Sequence, residues 1–151
     1  MSLKARLEDD MKTAMRERES GRFRLSVIRM VRAAVKNAEI DLQHELSEEE
    51  VLAVLAKELK MRRDSLAEFD KAGRRDLADA AREEIAILLA YLPSQLSAEE
   101  VRALAEEAVK SSGAVSPKDM GKVMGLLQPK VKGRADGKLV SDIVKELLNK
   151  A

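Results

Sequence analysis

Ser47-Glu-Glu-Glu50-Val51-Leu-Ala-Val-Leu55-Ala-Lys-Glu-Leu59 carries the reading of the fold. Ser47 and Glu50 have the form of a capping box, in which the serine oxygen accepts from a free amide of the first turn while the glutamate reaches back. Val51, Leu55 and Leu59 recur every four residues and are continued by Leu66 and Phe69, so the segment predicts an amphipathic helix stopped at Lys71-Ala-Gly73. The same period extends outward on both sides. Leu25, Ile28, Val31, Val35, Ala38 and Leu42 predict a long helix through Gln43-His44. Before it, Leu3, Leu7, Met11, Ala14 and Met15 predict a first helix ending at Ser20-Gly21, where the glycine is expected in a left-handed conformation. After it, Leu77, Ala81, Ile85, Leu88 and Leu92 predict a fourth helix, ended before Pro93 because proline disfavours helical geometry in the preceding residue.

Tyr91-Leu-Pro-Ser-Gln-Leu96 is the expected domain boundary, since a second capping box, Ser97-Ala-Glu-Glu100, opens the next helix. Three shorter helices are predicted beyond it. The first, about 97 to 111, rests on Val101, Leu104, Ala105 and Val109, and the last, about 137 to 149, on Val140, Ile143, Val144, Leu147 and Leu148. The middle one, about 117 to 128, has Ser116 as expected cap, Pro117 at the first helical position and Asp119 facing the positive end of the helix dipole. The fold is therefore expected to be all-α, with a helical domain of about four helices over 1–93 and a three-helix domain over 97–151.

Composition agrees with helices and narrows the chemistry. Of 151 residues 45% are apolar and 36% charged, with two Phe, one Tyr and no Trp, which suits helix formers rather than strands. Cysteine is absent, excluding disulfides, thiolate metal sites and cysteine nucleophiles. The first ten residues mix charges and lack a signal-peptide apolar core. The longest nearly uncharged stretch, Ile85 to Ser97, is too short to span a bilayer. A cytoplasmic address with no membrane partner is the expectation. The net charge of +1 is unevenly spread: residues 1–96 carry 18 basic and 19 acidic side chains, 97–112 carry 2 and 4, and 113–151 carry 8 and 4. The positive end can steer an anionic partner.

That end contains the most informative segment, Asp119-Met-Gly121-Lys122-Val-Met-Gly125, continued through Lys130, Lys132, Gly133-Arg134 and Gly137-Lys138. Each helical glycine costs about 0.5–1 kcal/mol relative to alanine, so two at a spacing of four ask for an offsetting role on one face. One reading is close packing by another helix, with an exposed basic loop. The other is approach by a nucleic-acid backbone, with Lys122, Lys130, Lys132, Arg134 and Lys138 on phosphates. A nucleotide-binding P-loop is excluded, because no Gly-Lys-Ser/Thr follows a strand. A second basic run, Arg16, Arg18, Arg22, Arg24, Arg29 and Arg32, suits phosphate contacts but equally ion pairs and solvated faces, and the latter is the better expectation. Lys57 to Asp64 reads the same way. His44 is the only histidine and lies in a predicted loop, leaving almost nothing for a histidine metal site or a Ser/His/Asp triad. No catalytic residue, metal site or cofactor is expected.

Taken in order, Leu25-Ser-Val-Ile-Arg29-Met, Ala72-Gly-Arg74-Arg-Asp76-Leu77, Glu84 to Tyr91-Leu-Pro93 with Gln95-Leu96, Asp119 to Gly125 and Gly133-Arg134-Ala-Asp136-Gly137 resemble the YqeY family. That family comprises stand-alone relatives of the C-terminal tail domain of GatB, the B subunit of aspartyl/glutamyl-tRNA amidotransferase. Ser20-Gly21-Arg22 departs from the Asp-Lys expected at the first turn. The resemblance implies a four-helix part followed by a three-helix part, and a link to tRNA recognition. It implies tRNA, amidotransferase components or aminoacyl-tRNA synthetase components as partners. The resemblance covers only the tail and not the large catalytic part of that subunit. A carbon-nitrogen ligase label with glutamine as amide donor would therefore come from the family name, and activity of the isolated chain is not expected.

Overall fold

In a computed structural model that describes residues 1–150, the chain forms α1 (Leu3–Arg16), α2 (Arg22–Leu42), α3 (Glu48–Lys71), α4 (Arg75–Leu89), α5 (Ala98–Ser112), α6 (Met120–Val131) and α7 (Gly137–Lys150). Single 3-10 turns occupy Arg18–Gly21 and Pro117–Asp119. Among the described residues there is no strand, and the protein is all-α. Ala151, the last residue of the expected second domain, lies outside the described residues.

Both capping boxes form. Ser47 Oγ accepts from the Glu50 amide at 3.2 Å and Glu50 Oε1 from the Ser47 amide at 3.0 Å. Ser97 and Glu100 repeat the pattern at 3.1 and 3.0 Å. α3 ends in a Schellman motif: the Arg74 amide reaches the Phe69 carbonyl at 3.0 Å and the Gly73 amide reaches Asp70 at 3.2 Å. That closure needs a left-handed residue, and Gly73 supplies it at φ 70°.

The chain divides into two compact units, Met1–Leu92 and Pro93–Ala151. In the first, α1 to α4 each bury a leucine or isoleucine completely: Leu7, Ile28, Leu55 and Leu88. Each such side chain is worth about 1.5–3 kcal/mol when removed from water. In the second, Val101 and Ala105 of α5, Val123 and Leu127 of α6, and Val144 and Leu148 of α7 form a separate core.

Four local expectations change. Gly21 is not left-handed: its φ is −96°, and the left-handed residue of that turn is Arg18 at φ 54°. Glycine is required at 21 for space, because a Cβ there would lie 2.3 Å from the Ala14 carbonyl oxygen. On α4, Ala78 is buried and Leu77 is exposed, so the inward stripe starts one residue later than its most apolar member suggests. Ser116 makes no side-chain cap; instead Asp119 Oδ2 accepts from the Val115 amide at 3.0 Å. Finally, α6 runs past Gln128 to Val131 with Pro129 inside it, and the Lys132 amide still reaches Gln128 at 2.9 Å. Proline there removes only the donor to the Gly125 carbonyl, on a face where water can replace it.

Among the described residues the buried polar exception is Arg62, 7% exposed. Its Nη1 donates to Glu58 Oε2 at 2.5 Å and to the Glu58 carbonyl at 3.1 Å, and Nη2 lies 3.3 Å from Met30 Sδ. Nε sits 2.9 Å from Glu84 Oε2, an ion pair whose angle is too poor for a hydrogen bond. Arg62 thereby joins α2, α3 and α4, the structural use expected of the 57–64 run.

Candidate nucleic-acid interface

Val123, Leu127 and Val131 recur every four residues on α6 and are all buried. At about 100° per residue, Gly121 and Gly125 point about 120–160° away from Leu127, and Lys122 and Pro129 lie beside them on the same outer side. Both glycines are exposed, and a Cβ built on either would meet nothing within 4 Å. Close packing by a helix of this chain is therefore not what the two glycines serve. They leave a strip of uncovered backbone, bordered by exposed Leu126 and by Lys122. Lys122 Nζ stands 3.9 Å from Asp119 Oδ1 while remaining 71% exposed, a loose pairing worth little against solvent. The Asp119 carboxyl is held below its ordinary value chiefly by the Val115 amide, with the Ser116 amide and Lys122 adding to it against partial burial.

α6 leaves into a tight loop. The amides of Arg134 and Ala135 both reach the Val131 carbonyl, at 2.9 and 3.1 Å, and Gly133 turns the chain at φ 74°. Asp136 then starts α7, its Oδ1 accepting from the Lys138 amide at 3.2 Å and its carbonyl from the Val140 amide at 3.1 Å. Lys130, Lys132 and Lys138 are exposed around this turn.

Arg134 is used differently. Its Nε donates to the Ser94 carbonyl at 2.9 Å and its Nη2 to Ser94 Oγ at 3.3 Å, while its own carbonyl accepts from the Leu96 amide at 2.8 Å. Gln95 Nε2 donates to the Gly133 and Pro93 carbonyls, each at 2.9 Å. Thus Ser94 to Leu96 is laced onto Gly133-Arg134 and holds the loop in shape. Of the seven expected contact residues, Gly121, Lys122 and Gly125 share the outer side of α6, Lys130, Lys132 and Lys138 surround the turn, and Arg134 braces it. Nothing in the sequence marks Ser94 and Gln95 as partners of this turn. Both stand in the boundary segment and Gln95 also in the family resemblance, neither of which speaks of a residue some 40 positions away.

Elsewhere, His44 is exposed, with Nδ1 2.9 Å from the Glu45 carbonyl and Nε2 3.4 Å from Glu50 Oε2. Among the described residues no three metal-ligating side chains cluster, and no helix is long and apolar enough to cross a membrane.

The family profile described as Yqey-like protein matches residues 4–148. Three fungal proteins are similar, each named "Altered inheritance of mitochondria protein 41, mitochondrial". That of Kluyveromyces lactis is 42% identical over 88 residues, 58% of this chain and 46% of that protein. That of Pyrenophora tritici-repentis is 27% identical over 147 residues, 95% of this chain and 79% of that protein. That of Lachancea thermotolerans is 36% identical over 89 residues, with coverage of 58% and 46%. The matched region spans about half the length of the first and third of these relatives.

Proposed function

The chain belongs to the YqeY-like family, and from that membership we propose that it is a non-catalytic accessory protein that binds tRNA, alone or beside amidotransferase or aminoacyl-tRNA synthetase components. The observation that carries this reading is the uncovered backbone of Gly121 and Gly125 on α6, with exposed Lys122, Lys130, Lys132 and Lys138 close by in sequence. A phosphodiester backbone approaches bare peptide closely and is held by lysines acting as point charges, with no need for base-specific groups. Arg134 serves this surface by bracing the loop. The relation of the second unit to the amidotransferase tail belongs to the same proposal, as does a cytoplasmic address; the names of the relatives place those proteins in mitochondria.

Anisotropy titration with total tRNA at several salt concentrations tests it. Each phosphate contact contributes about 0.7–0.9 to the slope of log affinity against log salt. Replacing Lys130, Lys132 and Lys138 together by alanine should lower that slope by about 2–3. Wild-type binding with no salt slope, or a variant indistinguishable from wild type, would refute the assignment.

A second reading rests on the same open strip: Gly121 and Gly125 admit a partner protein's helix to close range. In that case Gly121→Leu abolishes capture of the partner and leaves tRNA affinity unchanged. A ligase role within a complex predicts glutamine-dependent transamidation of misacylated tRNA that requires this chain. Equal turnover with and without it argues against that role.

A further inference from the structure

The helices of the first unit treat their cations in two ways. On α3, α4 and the turn between them they alternate with acids: Arg62 with Glu58, Arg74 with Asp76, and Arg82 with Asp70 and Asp79. α2 does not follow this pattern. From Arg22 to Lys36 it carries Arg22, Arg24, Arg29, Arg32 and Lys36 and no acidic residue at all. Over residues 11–38 there are eight basic and two acidic side chains, a denser excess than in the C-terminal third, hidden in the total because residues 39–50 carry six acids and no Lys or Arg.

The structure sorts these cations. Arg24 turns inward and donates to the Asp10 carbonyl at 3.3 Å. Arg22, Arg29 and Lys36, spaced by seven, are exposed on the side of α2 opposite buried Val27, Val31 and Val35, with Arg32 on its shoulder. The three span about 21 Å at intervals of about 10 Å. Arg22 has Glu19 at 3.9 Å, with both groups at least 81% exposed, and Arg32 and Lys36 line a groove that also holds Glu8, Glu39 and Glu45, of which Glu8 pairs with Lys12 and the other two with Lys4. The first turn of α2 contains two arginines, no acid and no side-chain cap, at the helix end where the dipole opposes positive charge.

We infer that the outer face of α2, Arg22, Arg29 and Lys36 with Arg32, is a docking surface for the sugar-phosphate backbone of RNA. A row of cations without interleaved acids has its own charge complement only in a polyanion, and arginine forms paired bonds to phosphate. An anionic membrane fits less well: a surface helix needs its apolar face for lipid, and the apolar face of α2 is occupied by the core of the first unit. The choice of RNA rests on the tRNA-binding reading above, but the surface uses none of its residues.

The test is a salt series of anisotropy titrations with a fluorescein-labelled RNA hairpin on the full chain. The variant Arg22→Gln/Arg29→Gln/Lys36→Gln is compared with Lys57→Gln/Arg74→Gln/Arg82→Gln, which makes the same change in net charge. The α2 variant should bind at least tenfold more weakly at low salt with a slope smaller by about 2–3, and the second variant should change the slope by less than 1. Unchanged circular dichroism guards against unfolding. Equal losses in both variants reduce the effect to net charge and overturn the proposal, as does an α2 variant that binds like wild type. Sedimentation with phosphatidylserine-containing vesicles that is lost in the α2 variant, while hairpin binding persists, also overturns it in favour of a membrane. The Lys130/Lys132/Lys138 alanine variant, titrated alongside, separates the two sites. If it binds like wild type while the α2 variant fails, the C-terminal assignment falls and the α2 surface stands; no binding by wild type removes both.

Discussion

Arg134 Nε donates to the main-chain carbonyl of Ser94 across 2.9 Å, and the carbonyl of Arg134 receives the amide of Leu96 at 2.8 Å. One residue of the basic loop therefore holds the segment leading into α5 through both its side chain and its backbone. The guanidinium that sequence offered as a phosphate ligand spends two of its donors within the protein.

Arg134→Ala should accordingly act on structure before it acts on binding. It deletes two hydrogen bonds from a charged donor, partly exposed, and is expected to cost about 1–2 kcal/mol. Hydrogen exchange of the Leu96 amide should speed up in the variant while amides of α1 to α4 are unaffected. Unchanged protection at Leu96 would show that the lacing is idle.

Glycine replacements should split by sign. Gly21→Ala places a methyl 2.3 Å from the Ala14 carbonyl oxygen, a clash with backbone that only a shift of α1 against α2 relieves, and should destabilise by about 1–3 kcal/mol. Gly121→Ala and Gly125→Ala meet open space and should each stabilise by about 0.5–1 kcal/mol. Thermal unfolding of the three variants reads this directly. If the α6 alanines also weaken tRNA binding, the glycines are kept for contact at the expense of stability.

Removing Arg62 alone strands Glu58 and Glu84 in a partly buried site and should cost about 3–5 kcal/mol. The triple replacement Arg62→Met/Glu58→Gln/Glu84→Gln keeps the volume and removes every charge, and should be no less stable than wild type. Denaturant midpoints compare the two; a triple variant as unstable as Arg62→Ala would mean that the ion pairs are net stabilising.

Acid should destabilise the fold in a defined window. Glu39 is held below the ordinary glutamate value of 4.5 by the Lys4 ammonium first and then by the Leu46 amide, Glu100 by the Ser97 amide and hydroxyl, and Glu146 by Arg102 and Lys150. For a depressed carboxyl the stabilisation is complete above the unfolded value and disappears as pH falls through the folded one. The thermal midpoint should therefore begin to fall as the pH drops below about 4.5, and Glu39→Gln should flatten part of that fall.

At the alkaline end the sign reverses. Burial first, then the hydrogen bond to Asp10, pushes the Tyr91 phenol well above its usual 10.0. The unfolded chain ionises earlier, so stability declines as pH rises past 10.0. Tyr91 is the single tyrosine and there is no tryptophan, so phenolate absorbance reports it alone. A native titration at the ordinary value would place the ring outside the core.

Period, caps and punctuation are local, and local signals carried most of the fold. The fours of Val51, Leu55 and Leu59, the boxes at Ser47 and Ser97 and the stop at Gly73 act within one or two helical turns, so they were legible in sequence and produced all seven helices. Errors arose where a residue's surroundings decided. Gly21 is there for space against Ala14, seven residues earlier; on α4 the core takes Ala78 and leaves Leu77 outside; and Pro129 stays within α6 because its missing bond faces water. The same division holds at the candidate sites. Sequence by itself determined that the C-terminal segment is basic and glycine-punctuated and that α2 holds no acid from Arg22 to Lys36. Only tertiary structure decided that Gly121 and Gly125 face outward, that Arg134 is committed to Ser94, and that Arg24 turns in while Arg22, Arg29 and Lys36 turn out. Which way a side chain faces, and whether its charge is already answered, depends on partners distant along the chain that periodicity cannot see.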